Sequence, residues 1–197
     1  SVTNNSTVAG TAPTISSLSP ADDATAVATT SNIVLNFSEA VDVETGNIVI
    51  YKASDDSVVE TIDVTSSQVT GTGSTQITIN PSSDLAESTS YYVQIAATVF
   101  DDSSSNSYAG ISDKTSLSFT TADETAPTIT GPSGSEAGAS TSSVSINENG
   151  TAVNTFEANE TVTWSLNGGA DASLFSINSS SGALSFSSAP DYESPGD

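Results

Sequence analysis

Apolar and polar residues alternate in short runs along the first two thirds of the chain. In Asn32-Ile33-Val34-Leu35-Asn36-Phe37, the residues Ile33, Leu35 and Phe37 fall on one face of an extended segment. Asn47–Tyr51, Glu60–Val64 and Gln76–Ile79 repeat the style. Tyr91, Val93 and Ile95 share one side of the next run, and Leu117 and Phe119 close the series. Turn residues separate the runs at Gly46-Asn47, Gly71-Thr72-Gly73 and Asn80-Pro81. Ser82–Ser88 has room for one helical turn. No long run keeps a 3.6-residue apolar period, so the pattern predicts an all-β sandwich.

The pattern changes after Thr121. Thr11-Ala12-Pro13-Thr14-Ile15 recurs as Thr125-Ala126-Pro127-Thr128-Ile129, 114 residues further on. That spacing is about one sandwich domain. We read residues 1–11 as a linker, 12–122 as a first sandwich, 123–128 as an interdomain linker and 129–197 as a second sandwich. In the second, Val144 and Ile146 alternate, as do Val162, Trp164 and Leu166. Phe175 and Ile177 face Leu184 and Phe186 across Asn178–Ala183, which predicts a hairpin. The stretch is short against the roughly 100 residues of a complete sandwich, so the last strands are expected to be missing. Truncation and an inserted module both fit, and strand donation from another chain is a third route.

Composition then limits the partners. The chain has 197 residues, with 24 acidic against 2 basic side chains and a formal charge of −22. Lys52 and Lys114 are the only cations, which leaves nothing to neutralise phosphates, so neither nucleic acid nor an anionic membrane is an expected partner. With no His and no Cys, there is no Ser-His-Asp or Cys-His nucleophile and no ordinary zinc site. The missing Met suggests a piece of something larger. The charged fraction is only 13% against 35% hydrophobic residues, which favours a folded chain over a disordered one. Ser and Thr make up roughly a third of the residues, a composition suited to strands and turns. No basic–apolar signal segment opens the chain, and no apolar run is long enough to span a bilayer. The chemistry left is that of oxygen ligands.

Those ligands cluster in several places. Asp101 and Asp102 follow the strand ending Val99-Phe100, and Asn106, the Tyr108-Ala109-Gly110 carbonyls and Asp113 come next. Calcium takes six to eight oxygens at about 2.3–2.6 Å, and a Ser/Asn/Asp loop supplies them. Glu39 follows the Phe37 strand, with Asp42 and Glu44 close behind. Asp22-Asp23 and Asp55-Asp56 read as surface turns. Asp123-Glu124 sits in the interdomain linker. Glu148 comes just after the Ile146 segment. Asp191 and Glu193 are two apart, so an extended backbone points both carboxylates the same way. Glu148 alongside them would make a convergence of three. Paired carboxylates also serve glycosidases, but those need a cleft and aromatic platforms. Trp164 is the only Trp, and its alternation assigns it to a core. No enzyme is expected.

At this point the residues resemble known families. Residues 12–122 resemble a bacterial Ig-like domain of the S-layer type. The resemblance rests on Pro13-Thr14-Ile15 opening a strand, Asn36–Val41, Gly46-Asn47-Ile48, Phe100-Asp101-Asp102, Tyr108–Ile111 and Phe119-Thr120-Thr121. Residues 129–197 resemble a bacterial cadherin-like domain. There the motifs are Ile146–Asn149, Trp164-Ser165-Leu166 before Gly168-Gly169, Asp171–Ile177, Gly182-Ala183-Leu184 and Pro190–Glu193. That likeness implies calcium on Glu148, Asp191 and Glu193. The order of modules is similar to that of giant repeat-in-toxin adhesins of Gram-negative bacteria, of the ice-binding or biofilm type, exported by type I secretion.

The resemblance implies an extracellular, monomeric, calcium-stabilised adhesion module whose partners are neighbouring domains of the same chain. With Glu148, Asp191 and Glu193 from the cadherin-like likeness, and Glu39, Asp101, Asp102, Asn106, Asp113, Asp123 and Glu124 from their loop and linker positions, ten residues are the expected metal ligands. Calcium at loops and domain junctions would rigidify the chain, replacing the disulfides that it lacks. Two competing readings stay open. One is a calcium-dependent glycan- or peptide-binding module using Tyr91, Tyr92 and Tyr108. The other is an accessory domain of a secreted polysaccharide hydrolase.

Overall fold

A computed structural model describes residues 10–132, 137–191 and 193. The chain divides after Glu124 into two compact units. Both are all-β. Among the described residues the only helix is a single 3-10 turn, Ala172–Leu174.

The first unit contains β1 (Ile15–Ser19), β2 (Ala24–Val27), β3 (Ile33–Val43), β4 (Asn47–Lys52) and β5 (Val58–Asp63). It continues with β6 (Val69–Thr70), β7 (Ser74–Ile79), β8 (Ser90–Ile95), β9 (Phe100–Asp101) and β10 (Ser118–Thr121). One sheet runs β1-β3-β7-β6, with β9 added against the far end of β3; the other runs β2-β10-β8-β4-β5. Period-2 alternation sets the faces. Ile33 and Leu35 lie opposite Ile79 and Ile77 in one sheet. In the other, Ile48 lies opposite Ile62 and Ile95, and Ile50 opposite Val93. These side chains and Phe37, Val99, Phe100, Leu117 and Phe119 form one buried cluster. A fully buried side chain of this size contributes roughly 1.5–3 kcal/mol, so this cluster dominates the stability of the unit.

The Ser82–Ser88 segment does not form the expected helical turn. Its backbone donors go elsewhere: Leu85 N–H to the Thr29 carbonyl, Ala86 N–H to the Tyr91 hydroxyl, and Ser88 N–H to the Ala122 carbonyl. Leu85 is drawn into the core as a result. A helical turn would have to give up these bonds.

The second unit contains β11 (Ile129–Thr130), β12 (Ala152–Thr155), β13 (Glu157–Ala158), β14 (Phe175–Ile177) and β15 (Ala183–Phe186). They make a two-stranded sheet, β11-β13, and a three-stranded sheet, β12-β15-β14. The predicted hairpin is present, with Phe175 opposite Phe186 and Ile177 opposite Leu184. Asn178 builds its turn by accepting from the N–H groups of Ser180 and Ser181. The Val144–Ile146 and Val162–Leu166 alternations form no strands. Trp164 N–H donates to the Ser179 carbonyl, but one bond is not a ladder. Trp164 is half-buried, tilted against Phe156 and packed on Gly182, where a Cβ would lie 2.8 Å from its ring. Val144 and Leu166 are exposed.

Candidate functional site

β9 and the loop after it carry the first group of acids. Phe100 anchors this end of β9 in the core, edge-on to Phe37, which in turn meets Tyr108 edge-on. The next two residues therefore emerge at a fixed position. Asp102 turns inward and is 6% exposed. Its carboxylate accepts from Ser104 N–H, Asn106 N–H and Asn106 Nδ2, each at 2.8 Å. The Asn106 bonds hold its carboxyl below the usual range, because they favour the ionised form. Asp102 thus closes the loop, and the Asn106 amide N–H is spent on it.

Asp101 differs. Its Oδ1 is enclosed and has no hydrogen-bond partner. Directly across the β3–β9 ladder stands Asp42. Two like charges at paired positions repel. Asp42 accepts one long bond of 3.5 Å from the Thr72 hydroxyl. Local sequence placed Asp42 only near Glu39; the cross-strand register that sets it against Asp101 has no local signal.

The remaining expected ligands of the first unit are spread out. Asp113 caps its own turn, accepting from Thr115 N–H and Oγ1 and from Ser116 N–H and Oγ. Those bonds, that from Thr115 N–H foremost, pull its carboxyl down to about 2. Asp101, Asp102 and Asp113 do not close into one group. Glu39 is half-buried in the irregular stretch of β3, where its register with β7 shifts. Glu124 uses both carboxylate oxygens on Thr29, taking its N–H at 3.2 Å and its hydroxyl at 2.9 Å. Asp123 is exposed.

In the second unit three acids do converge. One carboxylate oxygen each from Glu148, Asp191 and Glu193 lie within 4.8 Å of one another, all on exposed side chains. Two hydrogen bonds bring them together. Asn149 N–H donates to the Pro190 carbonyl at 2.9 Å, joining the 148–150 turn to the 189–191 segment. Asp191 Oδ1 accepts from Glu193 N–H at 3.0 Å, tying the second acid to the third. Among the described residues this is the one group of three or more acidic side chains so gathered.

The tyrosines expected to offer a ligand platform do not. Tyr91, Tyr92 and Tyr108 are 3%, 4% and 8% exposed. Tyr92 is covered by the stacked ring of Tyr51 and by Lys114, which reaches over it to Asp56. Alternation put Tyr91 correctly on the inner face. Tyr92 lies on the outer face and is buried by neighbours that its own segment does not reveal.

Two facing sheets with one buried core between them define the first unit as an Ig-like sandwich. Residues 9–121 match the bacterial Ig-like domain family, and the chain belongs to it. The comparison with curated proteins gave no match. Membership makes this a structural module of a bacterial, surface-associated, typically non-catalytic kind. No helix among the described residues is long and apolar enough to cross a membrane.

Proposed function

We propose that this chain is a calcium-stabilised structural and adhesion module of a secreted, surface-anchored bacterial protein. The observation that carries the reading is the convergence of Glu148, Asp191 and Glu193 within 4.8 Å. Ligand oxygens at about 2.3–2.6 Å from a calcium ion lie at most about 5 Å apart, so this spacing suits a shared ion. Without a cation, three carboxylates at such range repel one another. Backbone carbonyls and water would complete the six to eight ligands that calcium takes. The enclosed Asp101 oxygen opposite Asp42 supports a second site of the same chemistry in the first unit. The acid excess and the absence of Cys fit a metal-stapled extracellular module.

The finer setting belongs to the same proposal. The second unit is cadherin-like, and the parent is an adhesin of the repeat-in-toxin type, exported by type I secretion. The module does no chemistry; it presents and spaces its neighbours. Calorimetric titration with calcium chloride tests the reading. The wild type should take up calcium with Kd of about 10⁻⁴–10⁻³ M, the range of extracellular modules. The Glu148→Gln/Asp191→Asn double variant should lose one site, and Asp101→Asn another. Titrations of the variants that overlay the wild type would remove the assignment.

A further inference from the structure

We infer that Asn167 is a site of spontaneous deamidation, a self-modification of the second unit independent of any metal. The sequence contains two Asn-Gly pairs, Asn149-Gly150 and Asn167-Gly168. Succinimide formation needs the backbone nitrogen of the following residue to reach the Asn side-chain carbonyl carbon. Glycine offers the least steric resistance because it has no Cβ. The two pairs sit in opposite environments.

Asn167 lies in the long stretch 161–169, which forms no helix or strand, and its side chain is exposed. Among the described residues, neither its amide nor the Gly168 N–H has a hydrogen-bond partner. A Cβ built on Gly168 or Gly169 would meet nothing within 4 Å, so the backbone here stands in open space. No hydrogen bond at either group has to break before the Gly168 nitrogen approaches the Asn167 side-chain carbonyl carbon. Asn149 is held instead. Its N–H is bonded to the Pro190 carbonyl, and it occupies a left-handed turn position with φ 64°. It also adjoins the Glu148–Asp191–Glu193 carboxylates. The attacking nitrogen must first give up its proton, and neighbouring negative charge makes that anion costlier.

The chemistry is complete with water alone. The Gly168 nitrogen, having lost its proton to hydroxide, bonds to the Asn167 side-chain carbon, and the C–NH₂ bond breaks to release ammonia. Water then opens the ring on either side, leaving aspartate or isoaspartate. One amide and one water become one carboxylate and one ammonium ion, the departing nitrogen taking up the protons that the backbone nitrogen and the water give up. Each event adds one negative charge to the chain. The isoaspartate product also inserts an extra carbon into the backbone before the 3-10 turn at Ala172–Leu174.

The test is ageing of the full chain at neutral and mildly alkaline pH, followed by peptide mapping with mass spectrometry. A free peptide covering residues 162–172 serves as the unstructured reference. Amide loss at Asn167 should run several-fold faster than at Asn149, speed up with pH, and stay close to the peptide's rate. Asn167→Gln should abolish it, and Gly168→Ala should slow it. Equal or faster loss at Asn149 would overturn the inference. So would an Asn167 that stays intact while the free peptide converts.

Discussion

Replacing Phe100 by Ala removes the anchor of the acidic loop in the first unit. Phe100 is fully buried, and its ring meets Phe37 edge-on with centroids 5.4 Å apart. Its carbonyl accepts from Tyr108 N–H at 2.8 Å, and Tyr108 packs on the same Phe37 ring. The substitution therefore creates a cavity bounded by both sheets and loosens Tyr108. Truncations of this kind cost about 3–5 kcal/mol, part of which is the edge-to-face pairing. For a domain of this size, a loss of about 4 kcal/mol lowers the Tm by about 15–20 °C. Scanning calorimetry and far-ultraviolet circular dichroism are the assays. Trp164 lies in the second unit, so tryptophan emission is unsuited to following the first. Val59→Ala is the control, because Val59 is 44% exposed and such changes stay within about 0.5 kcal/mol. A Phe100→Ala melt that overlays the Val59→Ala melt would refute the core assignment.

Two further outcomes follow from the same geometry. Asp113 has its carboxyl lowered to about 2, below the unfolded value of about 3.9, so its stabilising effect is complete above about pH 4 and is lost as pH falls toward 2. Asp113→Asn should lower the Tm at neutral pH, with the gap to wild type closing near pH 2; a gap that persists there would count against the charge-based account. Gly110 adopts φ 79°, and a Cβ on it would collide with the Ile95 carbonyl and lie 2.8 Å from Ala97 N. Gly110→Ala should cost about 1–3 kcal/mol, read as a lower urea midpoint, whereas an unchanged midpoint would mean that this crossing is looser than described.

The parts of the fold legible in the sequence are those with two-residue alternation and bulky inward residues. β3, β4, β7 and β8 announce themselves through Ile33, Leu35, Ile48, Ile50, Ile77, Ile79, Val93 and Ile95. β2 did not, since Ala24–Val27 is four residues of weak hydrophobicity whose pairing with β10 is parallel and distant in sequence. The family likeness pointed to Ile15, but the rest of β1 is mostly serine. In the second unit, Val162–Leu166 carries the alternation of a strand and finds no ladder, because pattern reports which side is apolar and not whether a partner is present. The same limit governs the acids. Asp191 and Glu193 are adjacent enough in sequence to be named together, but Glu148 joins them through a backbone bond that no local spacing announces. Asp42 against Asp101 depends on register between strands far apart in sequence. Conversely, Asp113 and Glu124 looked like ligands, yet their oxygens are engaged by Thr115, Ser116 and Thr29. An acidic residue followed by Ser or Thr can equally well cap its own turn.

Calcium binding to the folded chain, as proposed, is tested most directly by thermal melts of the wild type in excess calcium and in EDTA. A ligand that binds only the folded state stabilises by about 2.7 kcal/mol per site at a hundred times its Kd. The midpoint should rise with calcium concentration and fall back in EDTA, with the rise reduced in Glu148→Gln/Asp191→Asn. Midpoints that coincide at every calcium concentration would contradict it.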